Sequence, residues 1–118
     1  MVDMPEVKVK KKIHAILKDR GAYAVNYIGG AYANNGTPDI LACYCGRFIG
    51  VEAKAGKKKP TALQIKNLRD IDHAGGVSLV INEANLSHLE EALDAIKAGR
   101  SARSNYHLFE KQIGADEV

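Results

Sequence analysis

Two apolar stretches separated by only two residues constrain the fold of this chain more than any other feature. Residues 39–44 (DILACY) and 47–54 (RFIGVEAK) are rich in β-branched, aromatic and other apolar side chains, and only Cys45-Gly46 lies between them. Such a pattern predicts a β-hairpin. With Cys45-Gly46 as a two-residue loop, Tyr44 faces Arg47 and, counting back pair by pair, Asp39 faces Glu52. The two acids then become cross-strand neighbours on one face of the sheet. Directly opposed like charges destabilise a sheet by up to about 1 kcal/mol, so stability alone gives no reason to place them there. A divalent cation between them would reverse the sign of the interaction. Side chains alternate along a strand, so Lys54 shares the face of Glu52, while Ala53 points away and leaves its carbonyl near the same spot. The pattern therefore predicts a metal site with an ammonium beside it. The competing reading is a solvated hairpin face carrying ordinary surface charges.

The rest of the chain supplies a setting for that hairpin. At 118 residues it is long enough for one domain with a core that needs no disulfide or metal staple. A content of 46% hydrophobic and 26% charged residues is that of a globular protein. No apolar run approaches the ~20 residues that span a bilayer, and the charged start MVDMPEVKVKKK is not followed by the apolar segment of a secretory signal. No membrane association and a cytoplasmic setting are the expectations. Cys43 and Cys45, the only cysteines, are two apart on or beside a strand and poorly placed to bridge each other. Both are expected as free thiols, Cys43 packed and Cys45 near the turn. None of the four histidines has zinc-like spacing with them.

Charge is unevenly placed. The net value is only +3, but Lys8, Lys10, Lys11, Lys12, Lys18 and Arg20 crowd the first segment, and Lys57, Lys58 and Lys59 follow Glu52-Ala53-Lys54 at once. Both runs fit a polyanion. A solvated face is an equal reading for the first run, whereas the nearness of the second to the acids favours phosphate contacts.

Along the chain, Pro5 and the recurrence of Val9, Ile13, Ile16 and Leu17 predict an amphipathic helix ending near Arg20-Gly21. Glu6 falls on its apolar side. It is either a first-turn acid favoured by the helix dipole or a group reaching toward the metal. Residues 22–28 (AYAVNYI) predict a strand, and residues 29–37 (GGAYANNGT) a loop in which Tyr32 is available to stack on a sugar or base. Beyond the lysines, a helix is predicted from Pro60-Thr61 to His73, with Leu63, Leu68 and Ile71 inward and Ala74-Gly75-Gly76 as its stop. Thr61-Ala62-Leu63-Gln64 has capping-box spacing, so Gln64 either caps its own helix or serves the site. Residues 77–81 (VSLVI) read as a strand buried on both faces, and Ser87-x-x-Glu90 as the start of a last helix with Leu89, Leu93 and Ile96 on one side. The resulting order, α, β, β, β, α, β, α, is that of a compact α/β domain with a mixed sheet over residues 1–98. Residues 99–118 form a polar tail, either loose or docked on a partner subunit.

This order of parts resembles the PD-(D/E)xK nucleases, and most closely their virus-type replication-repair nuclease (VRR-NUC) branch. The likeness is carried by the helix with Glu6, Gly36-Thr37-Pro38-Asp39, the hairpin, Glu52-Ala53-Lys54, the lysine loop, Thr61-Ala62-Leu63-Gln64 and Ala74-Gly75-Gly76, covering roughly residues 5–81. It implies a restriction-endonuclease-like core, a mixed sheet flanked by helices. It also implies Mg²⁺ or Mn²⁺ held by Asp39, Glu52, the Ala53 carbonyl and Glu6, with Lys54 orienting the attacking water and Gln64 supporting the site. Lys57, Lys58, Lys59 and Tyr32 would contact DNA.

The expected activity is metal-dependent hydrolysis of DNA phosphodiesters. Single-domain members of this branch resemble homodimeric nucleases related to Holliday-junction resolvases, and one site per chain makes two symmetric cuts only as a dimer. Branched DNA, in replication, repair or recombination, is the expected substrate. A non-catalytic nucleic-acid-binding module and a restriction-type nuclease are the alternatives.

Overall fold

The computed structural model describes residues 5–28 and 35–109. Seven elements follow one another: α1 (Glu6–Asp19), β1 (Tyr23–Asn26), β2 (Ile40–Tyr44), β3 (Arg47–Ala53), α2 (Ala62–His73), β4 (Val77–Ile81) and α3 (Leu86–Lys97). The four strands form one mixed sheet in the order β1-β2-β3-β4. The first three make an antiparallel meander, whereas β4 lies parallel to β3 because α2 carries the chain back along the sheet. The result is an α/β domain with helices on both faces, as the element order predicts.

The hairpin has the expected register. Tyr44 pairs with Arg47, Cys43 with Phe48, and the ladder continues to Ile40 and Val51. Cys45 and Gly46 both adopt positive φ, 49° and 77°, the combination whose twist matches that of the flanking strands in a two-residue hairpin. An L-residue with a side chain tolerates that conformation less well than glycine. The ladder on either side holds Cys45 in it.

Alternation divides the sheet into two unlike faces. Ile40, Ala42, Tyr44, Ile49, Val51, Ala53, Val77, Leu79 and Ile81 pack with Val9, Ile13 and Leu17 of α1 and with Leu89, Leu93 and Ile96 of α3 in the main core. The other face is covered only in part. There Ile65 and Leu68 of α2 join Val80 and Tyr106 in a smaller cluster, and Ile71 approaches so closely that a Cβ on Gly50 would stand 2.7 Å from its Cδ1. α2 stops short of β1, so Tyr23, Val25 and Phe48 remain exposed.

Three departures from the sequence reading follow, the first of them from that uneven cover. Cys43 is exposed, because it lies in the row of Tyr23 and Phe48 beyond the reach of α2. Leu63 is exposed on the second residue of α2 and touches the loop at Gly36 instead of the sheet, and the inward position is taken by Ile65. The last helix starts at Leu86, before Ser87, after a turn in which Asn82 Oδ1 accepts from the main-chain nitrogens of Ala84 and Asn85.

The largest difference concerns the polar tail. As far as Phe109 it docks on its own domain. Ser78 N–H donates to Ser104 Oγ (2.8 Å) and Asn105 N–H to the Ser78 carbonyl (3.0 Å). The Asn105 amide accepts from Val80 N–H (2.6 Å) and donates to the Val80 carbonyl (3.0 Å). Ser104 and Tyr106 hydroxyls both donate to Asp72. The side chains of Ser104 and Asn105, with the Asn105 main-chain N–H, thus satisfy the free edge of β4, which is why the segment is polar and yet buried at residues 104–106. Residues 110–118 lie outside the described residues. No helix among the described residues is long and apolar enough to cross a membrane.

Replacing Asn105 by Ala strips the buried Val80 N–H of its acceptor, so urea unfolding should show a loss of about 1–3 kcal/mol. Unchanged stability would mean that the segment does not hold the edge.

Candidate metal and phosphodiester site

The carboxylates of Asp39 and Glu52 meet where β2 begins and β3 ends. Asp39 stands one residue before the first residue of β2, directly after Ile40↔Val51 in the ladder. Its main chain is held by Tyr27, whose N–H donates to the Asp39 carbonyl (2.7 Å), and its side chain by Ala53, whose N–H donates to Asp39 Oδ2 (3.0 Å). The loop before it is clamped to α2. Asn67 Nδ2 donates to the carbonyls of Asn35 and Leu63, and Gly36, with φ of 81°, lies so close to α2 that a Cβ would be 2.8 Å from the Leu63 carbonyl oxygen. Only glycine meets both conditions. Pro38 is buried over Gly50, with its Cγ 3.2 Å from where a Cβ would stand.

Glu52 is the unusual group. Its side chain is only 2% exposed, and its Oε1 has no hydrogen-bond partner. Lys54 Nζ is 3.3 Å from Oε2. Burial is the first cause that drives its pKa up, to about 8; the charge of Asp39 adds to the rise, and Lys54 opposes it without cancelling it. A buried acid of this kind holds a proton at neutral pH when no metal ion is bound beside it. Leaving a buried oxygen unpaired costs about 1–3 kcal/mol, and a hard cation is the partner that a carboxylate oxygen beside a second carboxylate would take.

The remaining expected residues are distributed unequally around this pair. Ala53 is buried on the main-core side and presents its main chain to Asp39, through its N–H. Glu6 is the first residue of α1 and does come toward Asp39, but Lys10 stands between them, its Nζ 3.9 Å from Glu6 Oε2 and 3.7 Å from Asp39 Oδ1. Lys10 is the neighbour that the sequence reading missed. Its spacing of four from Glu6 was the available signal, since residues so separated share a helix face. Gln64 closes a complete capping box, its Oε1 accepting from Thr61 N–H (2.9 Å) while Thr61 Oγ1 accepts from Gln64 N–H (3.2 Å). Its amide oxygen is therefore spent on its own helix. Lys57, Lys58 and Lys59 are exposed on the loop that continues from Lys54, and Glu83 pins that loop by accepting from Gly56 N–H. Tyr32 lies outside the described residues.

Among the described residues no three His, Cys, Asp or Glu side chains come close enough to form a metal cage by themselves. The donors at hand are two carboxylates and main-chain oxygen, so water or substrate oxygen would have to complete an octahedral shell, the usual habit of Mg²⁺. Comparisons with protein-family models, with curated proteins and with solved structures return no match.

Glu52 also fixes the sign of a pH effect. Between 4.5 and about 8 the folded state keeps a proton on Glu52 that the unfolded chain has released, so stability should fall as pH rises through this window and level off above it. At about 1.4 kcal/mol per pH step, the loss is at most about 5 kcal/mol. Thermal unfolding in EDTA should show this slope in the native protein and a much flatter one in Glu52→Gln. Equal slopes would mean that Glu52 is not buried as an acid.

Proposed function

We propose that this chain is a metal-dependent DNA endonuclease of the PD-(D/E)xK type, akin to the VRR-NUC branch. The observation that carries the proposal is the buried Glu52, with one oxygen unpaired, beside Asp39 and Lys54. Asp39 and Glu52, with the Ala53 carbonyl, would hold Mg²⁺ or Mn²⁺. When bound, such an ion polarises the phosphoryl oxygens and lowers the pKa of its water. Glu52 must give up its proton to accept the ion, which makes binding tighter as pH rises toward 8.

The side chains define the rest of the chemistry. Lys54 is fixed by its contact with Glu52 and by its main-chain bond to Ile81, so its ammonium would stay beside the place where the phosphoryl oxygens gain negative charge in the transition state. It also lies within reach of the attacking water. Lys10 leaves a positive charge next to Asp39, well placed to hold a phosphate on the far side of the site or to give way to the ion. The exposed lysines after Lys54 track the backbone of the nucleic acid, and binding through them weakens as salt rises.

One site per chain suits two symmetric cuts only if two chains act together, which favours a homodimer on branched DNA such as a four-way junction. Asp39→Asn should keep DNA binding and lose Mg²⁺-dependent cleavage, and Lys54→Ala should keep metal binding and cleave about 10²–10³-fold more slowly. Undiminished cutting by Asp39→Asn would refute the site. A synthetic four-way junction and a linear duplex of the same sequence, each with Mg²⁺ or EDTA, test the substrate: the junction should be cut in Mg²⁺ and the duplex spared. Equal cutting removes branched DNA as the preferred substrate. A protein that binds DNA but cuts neither is a binding module.

A further inference from the structure

β3 and β4 are parallel, so their C-terminal ends emerge side by side, Ala53 next to Ile81 and Lys54 N–H donating to the Ile81 carbonyl (2.9 Å). A cavity of about 390 Å³ opens at this end, lined by Gly56, Lys57, Lys58, Lys59, Asn82 and Phe109. Its size falls within the ~300–1,000 Å³ of small-molecule sites. Its composition is the unusual part. Three lysines, an aromatic residue and a residue with a primary amide line the same space.

Phe109 belongs to the segment that closes the edge of β4. It is half-buried against the cluster of Ile65, Leu68, Val80 and Tyr106, so the ring has a fixed back and one part toward the cavity. Asn82 has its Oδ1 taken by Ala84 and Asn85, which leaves its amide nitrogen as a donor. Glu83 is engaged by Gly56 N–H and holds the loop in place. The cavity begins two residues after Lys54, at Gly56, a distance of at most about 7 Å along the chain.

We infer that this cavity receives one unpaired nucleotide of the DNA strand next to the scissile phosphate, its base against Phe109 and Asn82 and its phosphate on Lys57–Lys59. A planar base stacks on an aromatic ring only when it has left the duplex, whereas a phosphate alone needs neither the ring nor the amide. The site thereby gives a physical reason for preferring DNA with an unstacked nucleotide, such as a branch point or a flap, over a continuous duplex. The inference rests on the nuclease reading for the role of the nucleotide, but its binding chemistry is independent of cleavage.

The test is binding in EDTA, by fluorescence anisotropy, of a short labelled oligothymidylate and of a blunt duplex of equal length. Phe109→Leu keeps apolar packing against the cluster and removes the ring; it should weaken single-strand binding about tenfold, the loss of one base stack, and leave duplex binding unchanged. Phe109→Trp should bind the single strand as the native protein does. Changing all three lysines to Ala should flatten the salt dependence of single-strand binding by about 2 in log–log slope. The inference is overturned if the native protein does not bind the oligothymidylate, if Phe109→Leu binds it as tightly as the native protein, or if it loses both ligands equally. Cleavage of the four-way junction in Mg²⁺ is scored beside it. A protein that cleaves and ignores Phe109→Leu loses only the nucleotide pocket; one that never cleaves but loses single-strand binding on Phe109→Leu loses only the nuclease reading.

Discussion

The structure depends on the register of β3 between its two neighbours. β3 is paired antiparallel to β2 through the turn at Cys45-Gly46 and parallel to β4 through α2, and from Ile49 to Ala53 every residue is buried. A slip of one residue would exchange the two faces. Ile49, Val51 and Ala53 would leave the core between the sheet and α1 and α3, and Glu52 would enter it. The apolar residues therefore fix the position of the acid, and the acid needs no favourable interaction of its own to be held there. Burial stronger than one carboxylate can oppose is what permits a raised pKa at this point.

That arrangement also explains why Asp39 is so heavily supported. A carboxylate placed opposite a buried one would swing away if it were free to do so. Here the main chain is tied to Tyr27, the side chain to Ala53 N–H, and the preceding loop to α2 through Asn67, Gly36 and Pro38. Lys10 adds a compensating charge from α1. The repulsion is thus contained by contacts outside the pair, and the electrostatic cost stays concentrated on Glu52 Oε1, the one buried side-chain polar atom among the described residues that lacks a partner. Electrostatic cost concentrated in this way is a common property of functional sites.

Much of this was legible in the sequence, and the parts that were not share a cause. The hairpin, its register and the buried strand at Val77–Ile81 follow from periodicity and from a short gap between apolar runs, signals that depend on local sequence alone. The exposure of Cys43 depends on how far α2 reaches toward β1, and that of Leu63 on the loop at Gly36 that it meets, which no local pattern records. Lys10 was visible only as one of a run of lysines, since its meeting with Asp39 joins residues far apart in the chain. The docking of Ser104, Asn105 and Tyr106 was hidden for a stronger reason: a polar segment reads as solvated, and here polarity is what a buried strand edge requires.

The edge of β4 links the core to the proposed chemistry. A parallel strand at the border of a sheet exposes main-chain groups that would pair with another chain. Asn105 satisfies two of them with one side chain, and does so without adding a strand. A fifth strand would have run along the whole of β4 and covered the end where Asn82 and the lysine loop emerge. A capping segment that is helical at residues 107–109 covers the edge, leaves that end open and sets Phe109 on its rim. The same polar contacts that close the sheet thus determine which groups border the cavity beyond Lys54.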